Sequence, residues 1–383
     1  MKTKKKEKDI AYRLDTAFIN REKELRFLRN FVDARPFEIL FLHGPKSSGK
    51  TTLLYKFFAG IEKEQKIDVK FLNLREKLIG NYKDFIRIFF GSTPLQSKDD
   101  IKETREYGIF NFFKLSVEVL KGVENGQLDP FEMMKREFVK LTEKGIKPVL
   151  IIDELQAIEH IYINNGRQRQ VIIELFNFFV AMTKESHLTH IIVASSDGYF
   201  LNTVYNDSRL KKTSKFYKVD YLGESDVREW LLNIEKYSKI KDYTLSEKDV
   251  EKIWDTVGGS MWEIQDILSD LFDDSIDRVL DLYKQKMRGI IAHYTGLNAN
   301  KKKILKPFFR RHSLSLEDFA SVEMDYEALE ELLRDMVKNN ILYFDPTGAV
   351  YYPQSSSTRW GIKLYFESLE EKKGDGGAAH PPS

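Results

Sequence analysis

The chain of 383 residues contains no cysteine. Disulfides, thiolate zinc centres and cysteine nucleophiles are therefore excluded. No apolar run approaches the roughly 18 residues of a membrane span, so no membrane partner is expected. The start, Met1-Lys2-Thr3-Lys4-Lys5-Lys6-Glu7-Lys8, lacks the apolar stretch of a secretory signal, and a cytoplasmic protein is expected. Neither charge sign is in excess. The 61 basic and 59 acidic residues leave a net charge of +2, which argues neither for nor against a nucleic-acid partner. There is no internal repeat. The 42% of hydrophobic residues suffice for sizeable cores, and the length suggests two or three domains at about 150 residues each.

One segment stands out. Phe37-Glu38-Ile39-Leu40-Phe41-Leu42-His43 is a short apolar run, and Gly44-Pro45-Lys46-Ser47-Ser48-Gly49-Lys50-Thr51-Thr52 follows at once. The pattern G-x-x-x-x-G-K-T is that of a phosphate-binding loop, the Walker A motif. Gly44 and Gly49 let successive N–H groups converge into an anion nest, and a helix starting near Lys50 adds its positive dipole end. Lys50 is expected to reach the β- and γ-phosphates, with the Thr51 hydroxyl placed to coordinate Mg²⁺. The flanking pattern fits, with a buried strand at Ile39–Leu42 and a helix at Thr52–Ile61 whose Leu53, Leu54 and Phe57 share a face.

A phosphate loop alone does not imply bond cleavage. Val149-Leu150-Ile151-Ile152-Asp153-Glu154 supplies the complement, a Walker B motif of four apolar residues ending in two carboxylates. Ligands of such sheets bind at the carboxyl ends of the strands. Asp153 is expected to hold Mg²⁺ through water and Glu154 to act as general base toward the attacking water. Ile191-Ile192-Val193-Ala194-Ser195-Ser196 ends a further strand in hydroxyls, of which Ser196 is expected to sense the γ-phosphate. Arg209 is the candidate for a catalytic positive charge, ahead of Lys211 and Lys212, because guanidinium matches phosphate geometry.

Strands at 39–42, 67–74, 148–153, 190–195 and 216–222 alternate with helices, which predicts a parallel sheet covered on both faces. The fold class is thus α/β, a P-loop NTPase sheet followed by an all-α lid and a winged helix. From Ser225 only helices follow, at 225–240, 246–257, 260–272 and 276–294. Segments 301–311, 315–320 and 326–339, then a hairpin at 341–344 and 350–352, follow the winged-helix order, with Trp360, Tyr365 and Phe366 packing its end. The domains read as a basic tail at 1–17, an ATPase domain at 18–223, a lid at 224–296, a winged helix at 297–369 and a disordered tail at 370–383.

Phe18-Ile19-Asn20-Arg21-Glu22-Lys23-Glu24-Leu25 resembles the F-x-N-R-E-x-E-L segment that precedes the phosphate loop in the archaeal ATPase family. That family is related to the AAA+ and STAND ATPases and similar to the origin-recognition ATPases. The resemblance runs through Gly44–Thr52, Ile151–Gln156, Ile192–Ser196 and Gly258-Gly259 to about residue 368. It implies adenine packing by Phe18 and Arg21, chemistry that an aromatic ring and a guanidinium can provide. ATP and ADP with Mg²⁺ are the implied ligands. Many AAA+ relatives carry an arginine soon after the Gly-Gly turn, where Ser260-Met261-Trp262-Glu263-Ile264 has none. Thr213 stands near the place of another. These departures imply a low-turnover ATPase in which ATP acts as a switch ligand.

The third helix of the winged-helix region carries Asp325, Glu327, Glu330, Glu331 and Asp335 against Arg334 and Lys338, a balance that repels phosphates. Its first helix is basic, with Lys301, Lys302, Lys303, Lys306, Arg310 and Arg311. The winged helix therefore reads as a surface for a protein partner. The alternative is a DNA-associated ATPase that contacts duplex through the basic tail and first helix. A nucleotide-dependent oligomer is compatible with either reading.

Overall fold

The computed structural model describes residues 18–61, 66–90, 113, 115–164, 168–208, 210–237, 244–271 and 273–375. The basic tail at 1–17 and Arg209 lie outside them. Two compact units result. One comprises Glu24–Gly44 and Lys50–Val219, the other the described residues up to Lys23, Pro45–Gly49 and those from Asp220 onward.

The first unit is built on five strands, β1 (Ile39–His43), β2 (Ile67–Asn73), β3 (Lys147–Asp153), β6 (His190–Ser195) and β7 (Ser214–Lys218). They lie in the order β2-β3-β6-β1-β7, and all pairings are parallel. Every residue of β1 and β6 is buried, the pattern of strands covered on both faces. Helices α1 (Glu22–Asp33), α2 (Lys50–Ile61), α3 (Tyr82–Phe89), α4 (Val117–Glu124), α5 (Pro130–Glu143), α6 (Val171–Val180) and α7 (Gly198–Asn206) intervene. Polar caps fix their starts: Asn81 accepts from the Lys83 and Asp84 N–H groups, and Asp129 from Phe131, just before Pro130 at the first turn. The expected face of α2 is buried, with Leu53, Leu54 and Phe57 joined by Phe58 and Ile61. A short hairpin, β4 (Tyr162–Asn164) and β5 (Gln168–Gln170), is an addition that the sequence pattern does not announce.

The fifth core strand, expected at 216–222, runs instead over Ser214–Lys218. Pairing with β1 sets its length, because Ile39 lies opposite Ser214 and His43 opposite Lys218. The chain then leaves the ladder through the Val219 N–H, which still donates to the His43 carbonyl.

The second unit is helical through α8 (Glu224–Leu232), α9 (Ile234–Tyr237), α10 (Glu247–Val257), α11 (Met261–Asp270) and α12 (Ile276–Thr295). The single helix expected at 225–240 is broken at Asn233, which caps α8. Helix α13 (Ala299–Leu305) gives way to a 3₁₀ turn at Lys306–Phe309, where Pro307 lacks the N–H that the expected 301–311 helix would need. The region expected to be helical at 315–320 is a short strand, β8 (Leu314–Ser315), and a 3₁₀ turn at Leu316–Phe319. Helix α14 (Tyr326–Lys338) and strands β9 (Leu342–Asp345) and β10 (Val350–Pro353) follow, the strands forming a sheet in the order β8-β10-β9. The final helix, α15, spans Ser356–Asp375 and so extends into the stretch expected as a disordered tail. The body of the helix is held by packing. Ile362, Tyr365 and Phe366 are buried, the Thr295 hydroxyl of α12 donates to the Tyr365 hydroxyl, and Gly361 lets α15 approach the Met287 backbone.

The Gly258-Gly259 pair has a steric cause. Gly258 ends α10 with a positive φ of 59°, and a side chain on Gly259 would lie 1.9 Å from the Leu222 carbonyl oxygen. Gly259→Ala is therefore expected to cost about 2 kcal/mol or more, whereas Gly60→Ala, in open space on α2, should gain roughly 0.5–1 kcal/mol. Thermal denaturation of the two variants checks both signs.

Candidate nucleotide site

Parallel register gathers the site. Asn73 lies opposite Asp153, Asp153 opposite Ala194 and His43 opposite Ser195, so the polar residues that end β2, β3, β6 and β1 come within one residue of the same level. Between β1 and α2 the chain turns tightly. Gly44 and Gly49 have φ of 150° and 88°, Ser47 has φ of 63°, and the Ser48 N–H closes the turn on the Pro45 carbonyl. Lys46 and Ser47 are exposed and Ser48 is buried. This is the sharp loop that G-x-x-x-x-G-K-T calls for. Thr52 follows Thr51 in the first turn of α2 and is half-buried.

Lys50 is buried, and its Nζ donates to the Gly44 carbonyl at 2.9 Å. Burial lowers its pKa to about 8, against the opposing pull of Glu154 and Asp153. The Thr51 Oγ1 donates to Asp153 Oδ2 at 2.6 Å. Asp153 is buried, and burial raises its pKa. Its Oδ1 is buried with no hydrogen-bond partner among the described residues. An orphaned carboxylate oxygen beside a threonine hydroxyl suits a hard cation that draws its remaining ligands from phosphate oxygens and water. Thr51 and Asp153 thus fit Mg²⁺.

Glu154 follows β3 with φ 62° and ψ 47°, a left-handed conformation in which its N–H donates to the Ala194 carbonyl. Three side chains hold its carboxylate. Arg75, just beyond β2, donates to Oε1 at 2.6 Å, Ser196 donates to Oε1 at 3.3 Å, and the Gln156 amide donates to Oε2. Gln156 in turn accepts from the Ser195 hydroxyl at 2.9 Å. The two serines therefore differ. Ser196 touches the expected base directly, while Ser195 is fully buried, supports Gln156 and accepts from the Asp197 N–H. Thr213, near the expected arginine position, is buried, its hydroxyl donating to the Leu210 carbonyl.

Arg21 is buried, and its guanidinium donates to the carbonyls of Ser48 at 2.9 Å and Asp220 at 3.0 Å. It tethers the phosphate loop from behind. Phe18 is half-buried, and its neighbour Ile19 belongs to the helical core with Leu222 and Trp230. Sequence reasoning passed over Arg75, Gln156, Tyr221 and Gln354. Arg75 carried a usable signal, since it follows a core strand at the end where ligands bind.

A family described as an ATPase domain predominantly from Archaea matches residues 18–267. A Pyrococcus abyssi protein named only as an uncharacterized ATP-binding protein is 32% identical, covering 92% of this chain and 98% of its own. A Methanocaldococcus jannaschii protein of the same description is 29% identical, covering 91% and 95%. Among solved structures, the Aeropyrum pernix ORC2 protein, in ADPNP and ADP complexes, has a TM-score of 0.50 at 11% identity, covering 94% of this chain and 96% of that one. At that identity the likeness concerns the fold. The family match covers well over half of the chain and includes the phosphate loop, both carboxylates and the Gly-Gly turn, so the chain belongs to the family of ATPase domains found predominantly in Archaea.

Proposed function

We propose that the protein binds ATP at Gly44–Thr52 and hydrolyses it slowly to ADP and phosphate, serving as a nucleotide-controlled switch. The observation that carries this reading is the Thr51–Asp153–Glu154 group, with one carboxylate oxygen buried and unpartnered and a second carboxylate beside it. The names of the relatives as ATP-binding proteins support ATP as the ligand. Phe18 and Arg21 are assigned to the adenine side, Arg21 reaching it from its tether behind Gly49. Mg²⁺, held by Thr51 and Asp153, would neutralise phosphate charge when bound. Lys50 faces the β- and γ-phosphates. Glu154 accepts a proton from water, and the water oxygen bonds to the γ-phosphorus as the bond to the ADP oxygen breaks. Ser196 is assigned to orient that water or the γ-phosphate, and Arg209 to supply positive charge, in cis or from a second copy.

The way Glu154 is held supports low turnover. Both of its oxygens accept hydrogen bonds, and Arg75 pairs with it. The Arg75 side chain is 58% exposed, so the pair is worth roughly 1 kcal/mol or less and can open.

We read residues 18–223 as the ATPase domain, 224–296 as the lid and 297–369 as a winged helix that forms the output surface for a protein partner. A second reading, duplex DNA contact, rests on Lys303, Lys306 and Arg310, which line one open cavity together with Glu323 and Glu370. Two of the other basic residues of that segment are engaged internally, Lys301 with Asp335 and Arg311 with Asp318. That internal pairing favours the protein-partner reading. Salt-sensitive duplex binding that weakens when Lys303 and Lys306 are neutralised would favour DNA instead.

Glu154→Gln should keep ATP affinity and lose about 10²–10⁴-fold in phosphate release; unchanged release would remove Glu154 as the base. Arg75→Ala should raise kcat roughly fivefold by freeing Glu154, with little change in affinity, and steady-state phosphate release reads the sign. The lowered pKa of Lys50 gives a pH dependence. Below about 8 the lysine is already charged, and above it binding must take up a proton. MgATP affinity should therefore fall roughly tenfold between pH 7 and pH 9, with proton uptake visible by calorimetry in buffers of different ionisation enthalpy. A flat profile would contradict the placement of Lys50 against phosphate.

A further inference from the structure

The outer side of the phosphate loop is gripped by residues remote in sequence. The Tyr221 hydroxyl lies 2.9 Å from the Lys46 carbonyl oxygen and 3.2 Å from the Gln354 carbonyl oxygen, its proton serving both. The Gln354 side-chain amide, oriented so that both ends are satisfied, accepts from the Lys46 N–H at 2.9 Å and donates to the Leu342 carbonyl of β9 at 3.2 Å. The Gln354 backbone N–H donates to the Ile341 carbonyl. Behind the next part of the loop, Arg21 holds the Ser48 carbonyl.

A trans peptide points its C=O and the following N–H in opposite directions. Fixing the Lys46 carbonyl on the outer side therefore aims the Ser47 N–H inward, and fixing the Ser48 carbonyl does the same for the Gly49 N–H. These are inward-facing donors of an anion nest. A loop whose carbonyls are already tied back need not reorganise when phosphate arrives.

We propose that Tyr221 and Gln354 are positioning residues of the phosphate loop, holding the Lys46 backbone so that the loop's N–H groups converge on the β-phosphate. The proposal rests on the ATP-binding reading above. Gln354 lies beyond the residues matched by the family, 18–267, so part of the phosphate grip comes from outside the ATPase-family region. Gln354 also opens the turn into α15, and the hydroxyls of Ser355 in that turn and of Ser357 in α15 donate to the buried Glu263 of α11 at 3.2 and 2.6 Å. A ligand or partner that displaces the start of α15 would loosen the phosphate grip, and by linkage nucleotide would oppose that displacement by the same factor.

The test compares wild type with Gln354→Ala and Tyr221→Phe. ADP and MgATP affinities are measured by calorimetry, hydrolysis by steady-state phosphate release, and integrity by thermal denaturation. Each variant should raise the Kd for ADP and the KM for ATP roughly fivefold, the size of one hydrogen bond, and leave kcat within twofold. A merely structural defect would instead lower kcat through a smaller active fraction and leave KM unchanged. Affinities within twofold of wild type in both variants, or loss of kcat at constant KM, would overturn the proposal. Wild type that binds neither nucleotide would overturn the ATP reading itself, which is a distinct outcome. Should Tyr221→Phe fail to fold, Gln354→Ala decides the question alone.

Discussion

The register of the parallel sheet is the constraint on which everything at the site depends. Parallel strands that end within one residue of one another put Asn73, Asp153, Ser195 and His43 along one rim, and the phosphate loop, Glu154 and Ser196 continue from it. Because side chains alternate between faces, a slip of one residue in β3 would turn Asp153 away and bring Ile152 to the rim. The full burial of β1 and β6 and near-full burial of β3 make such a slip expensive. Apolar packing in the sheet therefore fixes the carboxylates without touching them.

The site balances its charges internally. Lys50 and Arg75 face Asp153 and Glu154, and the hydroxyls of Thr51 and Ser196 fill in between. Within the site, one oxygen of Asp153 is left without a hydrogen-bond partner among the described residues, and burial lowers the pKa of Lys50. A buried carboxylate oxygen with no partner costs free energy, so the site stands to gain from a ligand that takes it up.

Much of this was legible in the sequence. The phosphate loop and Asp153-Glu154 carry dense local signals, because glycine spacing and an apolar run ending in acids each have a single structural reading. Strand and helix positions followed from periodicity. The fifth strand was misplaced because its limits are set by pairing with β1, a non-local fact. Pro307 argues against a long helix at 301–311, whereas the packing of α15 on α12 through Gly361 and Tyr365 is a tertiary fact that composition does not show. Arg75, Gln156, Tyr221 and Gln354 were missed for a common reason. Each acts through side-chain hydrogen bonds that reach residues remote in the chain, Glu154 for Arg75, Ser195 for Gln156 and Lys46 for Tyr221 and Gln354, and no local pattern names such partners.

Glu154 and Ser47 both hold left-handed backbone angles that ordinary side chains avoid, at roughly 1–2 kcal/mol each. Asparagine or glycine would rest more easily at either place. Positive φ also occurs at His187 and Ala349, but at Ser47 and Glu154 it falls in the candidate site, where the surrounding structure must over-determine the geometry to keep it. Persistence of a strained glutamate at position 154 across relatives would measure how strongly a carboxylate is held there against its backbone cost.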